Sequence, residues 1–183
     1  MENRKDTHAV VHRIAQNGLV AALYYAVTML LIAVPVLSQF GPIQCRVSEV
    51  LMVFAFFRPD LTLGLTIGCF LANTTGAFMG LVPAVDLVVG TAATFLSCIC
   101  MAYLSRHMIF ASIYPIVFNG VFVGLELYFF LELKEIPLIA TMGYVALGEL
   151  VAVALGYGLF MALIRNQGFM SVLKPTHHAE VRW

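Results

Sequence analysis

The stretch QCRVSEVLMVFAFFRPDLTLGLTIGCFLANTTGAFMG, residues 44–80, joins a charged cluster to a helix suited to close packing. Arg46 and Glu49 directly precede the apolar run LMVFAFF. On a helix, small residues at every fourth position form one flat stripe, which lets a second helix approach to backbone distance. Asn73 lies beside the stripe, so the segment predicts a polar site inside a bundle of membrane helices. The stripe consists of Gly64, Gly68, Ala72, Gly76 and Gly80.

The composition is that of a protein embedded in lipid. Hydrophobic residues make up 61% of the 183 residues and charged residues 11%, and the mean hydropathy is +0.93. Soluble domains contain about 45–50% apolar and about 25% charged residues. The chain is therefore expected to be an all-α integral membrane protein, with room for roughly six helices of about 20 residues. Its net charge of zero argues against nucleic acid as a partner.

Six apolar segments predict six transmembrane helices, at residues 14–37, 47–57, 61–80, 83–104, 109–131 and 137–164. The second is about half as long as the hydrocarbon core is thick, which predicts a short or tilted helix. Pro59 would end it, and Asp60 is placed to cap the next helix. The chain is accordingly divided into three regions: an N-terminal segment at residues 1–13, a membrane domain at 14–165 and a polar tail at 166–183. Little in the tail could be buried, so we expect it to be mobile.

The distribution of basic residues predicts the orientation. If six spans begin in the cytoplasm, eight of the ten basic residues lie on the cytoplasmic side, and only Arg46 and Lys134 lie outside. This satisfies the positive-inside rule and places both termini in the cytoplasm.

A second small-residue face lies in the first span, where Gly18, Ala22 and Ala26 recur every four residues. One interpretation is that this face packs against the protein's own helices. The other is that it is a docking face for another membrane subunit.

The most informative feature is an excess of acids in the outer and middle layers of the predicted bundle. Polar side chains in lipid cost several kcal/mol, so each requires a reason. Arg46 is the only cation near them. Such a pocket favours a ligand that is cationic, rich in hydrogen-bond donors, or both, because carboxylates accept paired N–H groups. A purine-like edge fits one carboxylate, and an ammonium would need a second. The carboxylates are Glu49, Asp86, Glu126 and Glu149, and two amides, Asn73 and Asn119, accompany them.

Simpler interpretations compete for several of these groups. Arg46 and Glu49 are three residues apart and could pair with each other. Asp86 is best explained as an interfacial helix cap near Pro83. Asn73 and Asn119 are candidates for hydrogen bonds between helices. Glu126 and Glu149 are harder to explain in this way, since no buried Lys or Arg is available to neutralise both; a proton relay is the remaining alternative to ligand binding.

Motifs of enzymatic chemistry are absent from the sequence. It contains no G-x-x-x-x-G-K-[ST], no H-E-x-x-H and no G-x-S-x-G, which argues against ATP binding by a P-loop and against two common hydrolase mechanisms. Cys98 and Cys100 lie in an apolar run without a nearby His, so packing is a better explanation than a metal site. We expect neither an enzyme nor a cofactor or metal in this chain.

Five motifs follow one another along the chain: Arg46-Val-Ser-Glu49-Val-Leu, Gly64-Leu-Thr-Ile-Gly68-Cys-Phe-Leu-Ala-Asn73, Asp86-Leu-Val-Val-Gly90-Thr-Ala-Ala-Thr, Asn119-Gly-Val-Phe-Val-Gly124-Leu-Glu126 and Gly148-Glu149. Together they resemble the QueT family, and the resemblance covers roughly residues 15–164. Members of this family are the substrate-binding (S) components of energy-coupling factor (ECF) transporters for queuosine precursors.

The resemblance implies a six-helix S-component fold in the plasma membrane of a prokaryote, with a site open to the outside. It also implies partners in trans, namely a transmembrane T protein and two ATPases. S components are similar in docking through an A-x-x-x-A face on the first helix, which Ala22-Leu-Tyr-Tyr-Ala26 matches. The implied ligand is pre-queuosine-1, 7-aminomethyl-7-deazaguanine.

Combining the resemblance with the acidic pattern, we predict Glu49, Glu126 and Glu149 as carboxylate ligands. Asn73, Asn119 and Arg46 would support them by hydrogen bonding. Two alternatives remain open: an S component for another donor-rich vitamin or nucleobase, and a stand-alone proton-coupled carrier with Glu149 as the proton site.

Overall fold

A computed structural model of the protein describes residues 2–32, 46–130 and 135–177, with side chains from residue 7 onward. These residues form helices, and short turns join successive helices within each described range. A 3-10 turn at Val47–Met52 and an α-helix at Val53–Phe57 together make one element, α2 (Val47–Phe57). The others are α1 (Glu2–Ile32), α3 (Thr62–Phe78), α4 (Asp86–Tyr103), α5 (Met108–Ala111), α6 (Ile113–Phe130), α7 (Leu138–Leu163) and α8 (Gln167–Leu173).

Five segments of the described chain are long and apolar enough to cross a membrane, and α2 is a shorter apolar helix. The prediction of a multi-pass helical membrane protein with a short second element is confirmed. The predicted ends of the first span, at residue 37, and of the fifth, at residue 131, lie outside the described residues. The five segments are Thr7–Leu31, Pro59–Phe78, Asp86–Tyr103, Met108–Phe130 and Leu138–Leu163.

The short helix α2 lies in the centre of the bundle. Met52, Phe56 and Phe57 are completely buried, as expected for a helix that is apolar on all sides. It packs against α1, α4 and α7, and the rings of Phe54 and Phe160 meet edge to face with centroids 5.0 Å apart. Around it, α3 packs between α1 and α4, α4 packs on α6, and α6 packs on α7.

The small-residue stripe of α3 packs against α1, which confirms the predicted close approach. A Cβ atom on Gly64 would lie 2.5 Å from the backbone oxygen of Asn17, and one on Gly68 would lie 2.8 Å from that of Ala21. The Asn17 side chain accepts a hydrogen bond from the Gly64 amide at 2.6 Å, so α1 supplies a partner for an N-terminal amide of α3. Gly80 does not belong to the stripe, because α3 ends at Phe78.

Asp60 is not the helix cap that the sequence predicted. Its two carboxylate oxygens accept from Nε and Nη2 of Arg58 at 2.7 and 2.6 Å. This bidentate pair uses the acceptors that a cap would need. Arg58 also donates to Gln16 Oε1 at 2.8 Å and to the Leu173 carbonyl at 2.9 Å, and thereby joins α1, the α2–α3 turn and α8.

The predicted fifth span is interrupted at Ser112, between α5 and α6. Pro115 has no N–H to donate to the carbonyl four residues earlier, at Ala111, so a continuous helix would lose a bond there. The first helix also extends further than the predicted span, because α1 begins at Glu2.

The tail, in which little was expected to be buried, contains the helix α8 and the buried residue Leu173. Asn166 caps α8 by accepting from the amides of Gly168 and Phe169 at 2.8 and 3.3 Å. Leu173 is buried, and the amides of residues 176 and 177 each donate to the Phe57 carbonyl at 3.0 Å. Residues 178–183 lie outside the described part.

Candidate functional site

The polar side chains singled out in the sequence are all buried, each with at most 4% of its surface exposed. They come from the start of α2 and from α3, α4, α6 and α7. We call this set the acidic cluster; it comprises Arg46, Glu49, Asn73, Asp86, Asn119, Glu126 and Glu149.

Asp86 belongs to the acidic cluster and is not the interfacial cap that the sequence favoured. It occupies the first position of α4 but makes no side-chain cap. Nη2 of Arg46 donates to its two carboxylate oxygens at 3.2 and 3.3 Å. Both side chains are buried, and a buried ion pair is strongly destabilised when one partner is removed. Arg46 is therefore tied across the bundle to α4.

Two neighbouring residues position Asp86, one by a hydrogen bond and the other by leaving space for its carboxylate. Asn73 donates to the Asp86 backbone oxygen at 3.0 Å, so the predicted role of Asn73 in bonding neighbouring helices is confirmed for α3 and α4. A Cβ atom on Gly90 would collide with Oδ1 of Asp86 and lie 2.8 Å from Nδ2 of Asn73. The absence of a side chain at position 90 thus makes room for both groups.

One oxygen of Glu49 is held in place, by residues that the sequence did not single out. Tyr24 donates to Oε1 at 2.7 Å and Thr94 donates to the same oxygen at 3.2 Å. Oε2 is buried and accepts no hydrogen bond from the described residues. Tyr24 and Thr94 carry no charge. Thr94 follows Gly90 by four residues and so shares its helix face, whereas Tyr24 lies opposite the small-residue face of α1.

Glu126 and Glu149 have four buried carboxylate oxygens between them, and none accepts a hydrogen bond from the described residues. The Oδ1 and Nδ2 atoms of Asn119 are likewise buried, and neither has a hydrogen-bond partner among the described residues. Asn119 lies close to Glu49 and Glu149, and Glu126 lies close to Asp86, without normal hydrogen-bond geometry in either case. Leaving such groups buried and unsatisfied costs about 1–3 kcal/mol each, and more when they are charged.

The charge of the acidic cluster is unbalanced. Four carboxylates share one guanidinium among the described residues. Both the excess of acceptors and the excess of negative charge would be relieved by a cationic molecule with several N–H groups. No set of three or more His, Cys, Asp or Glu side chains in the described ranges has the arrangement of a metal site.

The small-residue face of α1 points away from the bundle. Gly18, Ala22 and Ala26 are exposed, whereas Ala21 and Tyr24 on the opposite side are buried. A Cβ atom on Gly18 would meet no atom within 4 Å. The interpretation that this face packs against the protein's own helices is therefore wrong for the described part of the chain.

Membrane-length helices around a buried acidic cluster define a multi-pass membrane protein with an internal polar site. The chain belongs to the QueT transporter family, whose match covers residues 14–165. It is 34% identical over 155 residues to the "Queuosine precursor transporter QueT" of Lactococcus lactis subsp. cremoris (strain MG1363), across 76% of this chain and 84% of that relative. No solved structure matches the chain. Both the family and this relative are described as transporters.

Proposed function

We propose that the chain is the substrate-capture (S) component of an ECF-type importer and that it binds a queuosine precursor, pre-queuosine-1, from the extracellular side. The observation that carries this proposal is the acidic cluster, in which both oxygens of Glu126 and of Glu149 are buried without hydrogen-bond donors. The name of the Lactococcus relative supports the same class of substrate.

Pre-queuosine-1 complements the acidic cluster chemically. Its guanine-like edge offers two adjacent N–H donors, which match the two oxygens of one carboxylate. Its aminomethyl group is an ammonium at neutral pH and pairs with a second carboxylate. Glu49, Glu126 and Glu149 would be the carboxylate ligands, with Asn73, Asn119 and Arg46 in support.

The ligand would enter from the outer side. The acidic cluster lies where α2 and α4 begin, whereas the Arg58–Asp60 pair and α8 lie at the opposite end of α2. The positive-inside rule assigns that opposite end to the cytoplasm, together with both termini. Buried carboxylates then face ligand arriving from outside.

Inward delivery would require an energising module. The sequence has no P-loop, so ATP would be hydrolysed by two partner ATPases that act through a transmembrane T protein. The exposed face of Gly18, Ala22 and Ala26 is the docking surface in this proposal. Close approach of helices through small residues is how such contacts form in lipid.

Calorimetry with purified protein and pre-queuosine-1 tests the assignment. We expect saturable binding at micromolar concentrations or below, and absence of binding in that range would overturn it. A competition panel of other vitamins and nucleobases would reveal an S component with a different ligand.

The complete burial of Glu149 favours one alternative, a stand-alone proton-coupled carrier. Uptake in cells that lack the ATPase partners separates the two mechanisms. The proposal predicts that uptake stops without those partners. Uptake that persists, and that collapses with the proton gradient, would support the carrier.

A further inference from the structure

The acidic cluster has two levels along α6. Asn119 and Glu126 are seven residues apart, which is about 10 Å along the helix axis. Asn119 lies beside Glu49 and Glu149, whereas Glu126 lies beside Asp86, the partner of Arg46. Arg46 acts on both levels, but the other polar neighbours differ: Asn119 for Glu149 and Asp86 for Glu126.

The level at Glu149 has the pattern of acceptors and donors that a guanine-like edge requires. Glu149 offers two carboxylate oxygens, both buried and without a donor, and the neighbouring Asn119 offers an amide with both atoms unsatisfied. A carboxylate accepts the ring N–H and the exocyclic amine, while the amide nitrogen donates to the ring carbonyl. Glu49 is less suited to the bidentate role, because its Oε1 already accepts from Tyr24 and Thr94.

The level at Glu126 suits a cation. Glu126 lies next to Asp86, whose two carboxylate oxygens already accept from the single guanidinium of Arg46. An ammonium would neutralise Glu126 and can form charge-assisted hydrogen bonds with either of its oxygens. An ammonium has no acceptor, so it cannot use the amide nitrogen of Asn119, which a ring carbonyl can.

We infer that Glu149 and Asn119 bind the guanine-like edge of the ligand and that Glu126 binds its aminomethyl ammonium. This assignment rests on the proposed function and adds to it which residues determine specificity for each end of the ligand. Glu126 then distinguishes the aminomethyl compound from neutral deazaguanines, and Glu149 distinguishes deazaguanines from molecules without the paired donors.

Two variants and two ligands test the assignment. The ligands are 7-aminomethyl-7-deazaguanine and its 7-cyano analogue, which has the same guanine-like edge but no cation. The Kd of the analogue is measured by competition, so that weak binding can still be quantified. Glu126→Gln should weaken binding of the aminomethyl ligand at least about tenfold more than binding of the cyano analogue, since the acceptor loses its charge and only the aminomethyl ligand carries a cation to pair with it. Glu149→Gln should weaken both ligands by similar factors, each about tenfold or more.

The ratio of the two affinities is the deciding quantity for Glu126, because a merely structural defect would lower both affinities. For Glu149→Gln, an unchanged melting temperature of the ligand-free protein excludes such a defect. Glu135→Gln, the same change at an exposed glutamate, is the matched control and should leave the ratio unchanged. Glu126→Asp and Glu149→Asp, which draw the carboxylate back from the ligand by one methylene group, replace either variant that fails to fold and should change the two affinities in the same directions. Should Glu126→Gln weaken both ligands equally, or Glu149→Gln alter the ratio, the assignment is overturned. Failure of the unmutated protein to bind either ligand would overturn the proposed function itself.

Discussion

At the scale of single residues, Gly90 is as important as the charged groups beside it. Its missing side chain leaves the space in which the carboxylate of Asp86 and the amide of Asn73 lie. Asp86 in turn holds Arg46. A methyl group at position 90 would displace these groups without changing any charge.

Gly90→Ala should therefore weaken the binding of pre-queuosine-1 by about tenfold, since Asp86 and Asn73 must leave the positions in which they hold the site and a loss of about 1.4 kcal/mol in binding is tenfold. Alanine is the better helix former by about 1 kcal/mol, so a loss would not reflect helix propensity. Calorimetry on the purified variant measures the affinity for pre-queuosine-1. Gly158→Ala is the control, because a Cβ atom there meets nothing within 4 Å; equal affinities of the two variants would count against this role of Gly90.

Most of the acidic cluster could be predicted at this scale, since a buried carboxylate in an apolar segment is conspicuous. Asp86 was misinterpreted because its position at the start of α4 is also that of a cap, and its partner Arg46 is 40 residues away. Sequence spacing reports neighbours within one helix but not side chains that face each other across a bundle. Tyr24 and Thr94 were missed for the same reason.

Among the elements, the contact between α1 and α3 depends on backbone proximity. A side chain on Gly64 would meet the backbone of Asn17, which cannot move aside like a flexible side chain. The same approach allows the 2.6 Å hydrogen bond from the Gly64 amide to Asn17 Oδ1. The stripe therefore fixes the distance between two helices that flank the acidic cluster.

Gly64→Ala should destabilise the protein by about 1–3 kcal/mol, because the helices must separate to admit the methyl group. A lower melting temperature in detergent is the measurement. Gly143→Ala, at a site on α7 where a Cβ atom has open space, should melt no lower than the unmutated protein. If both variants melt alike, the close packing of α1 and α3 contributes little to stability.

The sequence predicted most elements but not all. The shortness of α2 follows from the distance between Arg46 and the break at Pro59. The interruption at Ser112 was missed, because the apolar run continues through it and only Pro115 marks it. The helix α8 was missed because Leu173 lies in a mostly polar tail; its spacing from Phe169 was the available signal.

For the whole molecule, the two ends of α2 are tied down differently. At one end, Arg46 pairs with Asp86 inside the acidic cluster. At the other, Arg58 joins α1, the α2–α3 turn and α8. The exposed small-residue face on α1 lies outside both networks, so a partner could contact it without disturbing the site.

Ala22→Leu should accordingly abolish uptake and co-purification with the T protein and ATPases while ligand binding is retained, since a larger side chain prevents close helix approach. Uptake in cells and affinity capture of the complex measure the effect. Ala162→Leu changes an exposed residue of α7 in the same way and should have no effect. Normal uptake by the Ala22 variant would contradict the docking role of this face.

Ligand-induced thermal stabilisation tests most directly whether the acidic cluster is the binding site. A ligand that binds only the folded protein adds about 2.7 kcal/mol of stability at 100 times its Kd. We predict that pre-queuosine-1 raises the melting temperature of the unmutated protein but not that of the Glu126→Gln, Glu149→Gln double variant. An equal rise in both proteins, or no rise in the unmutated protein, would contradict the account.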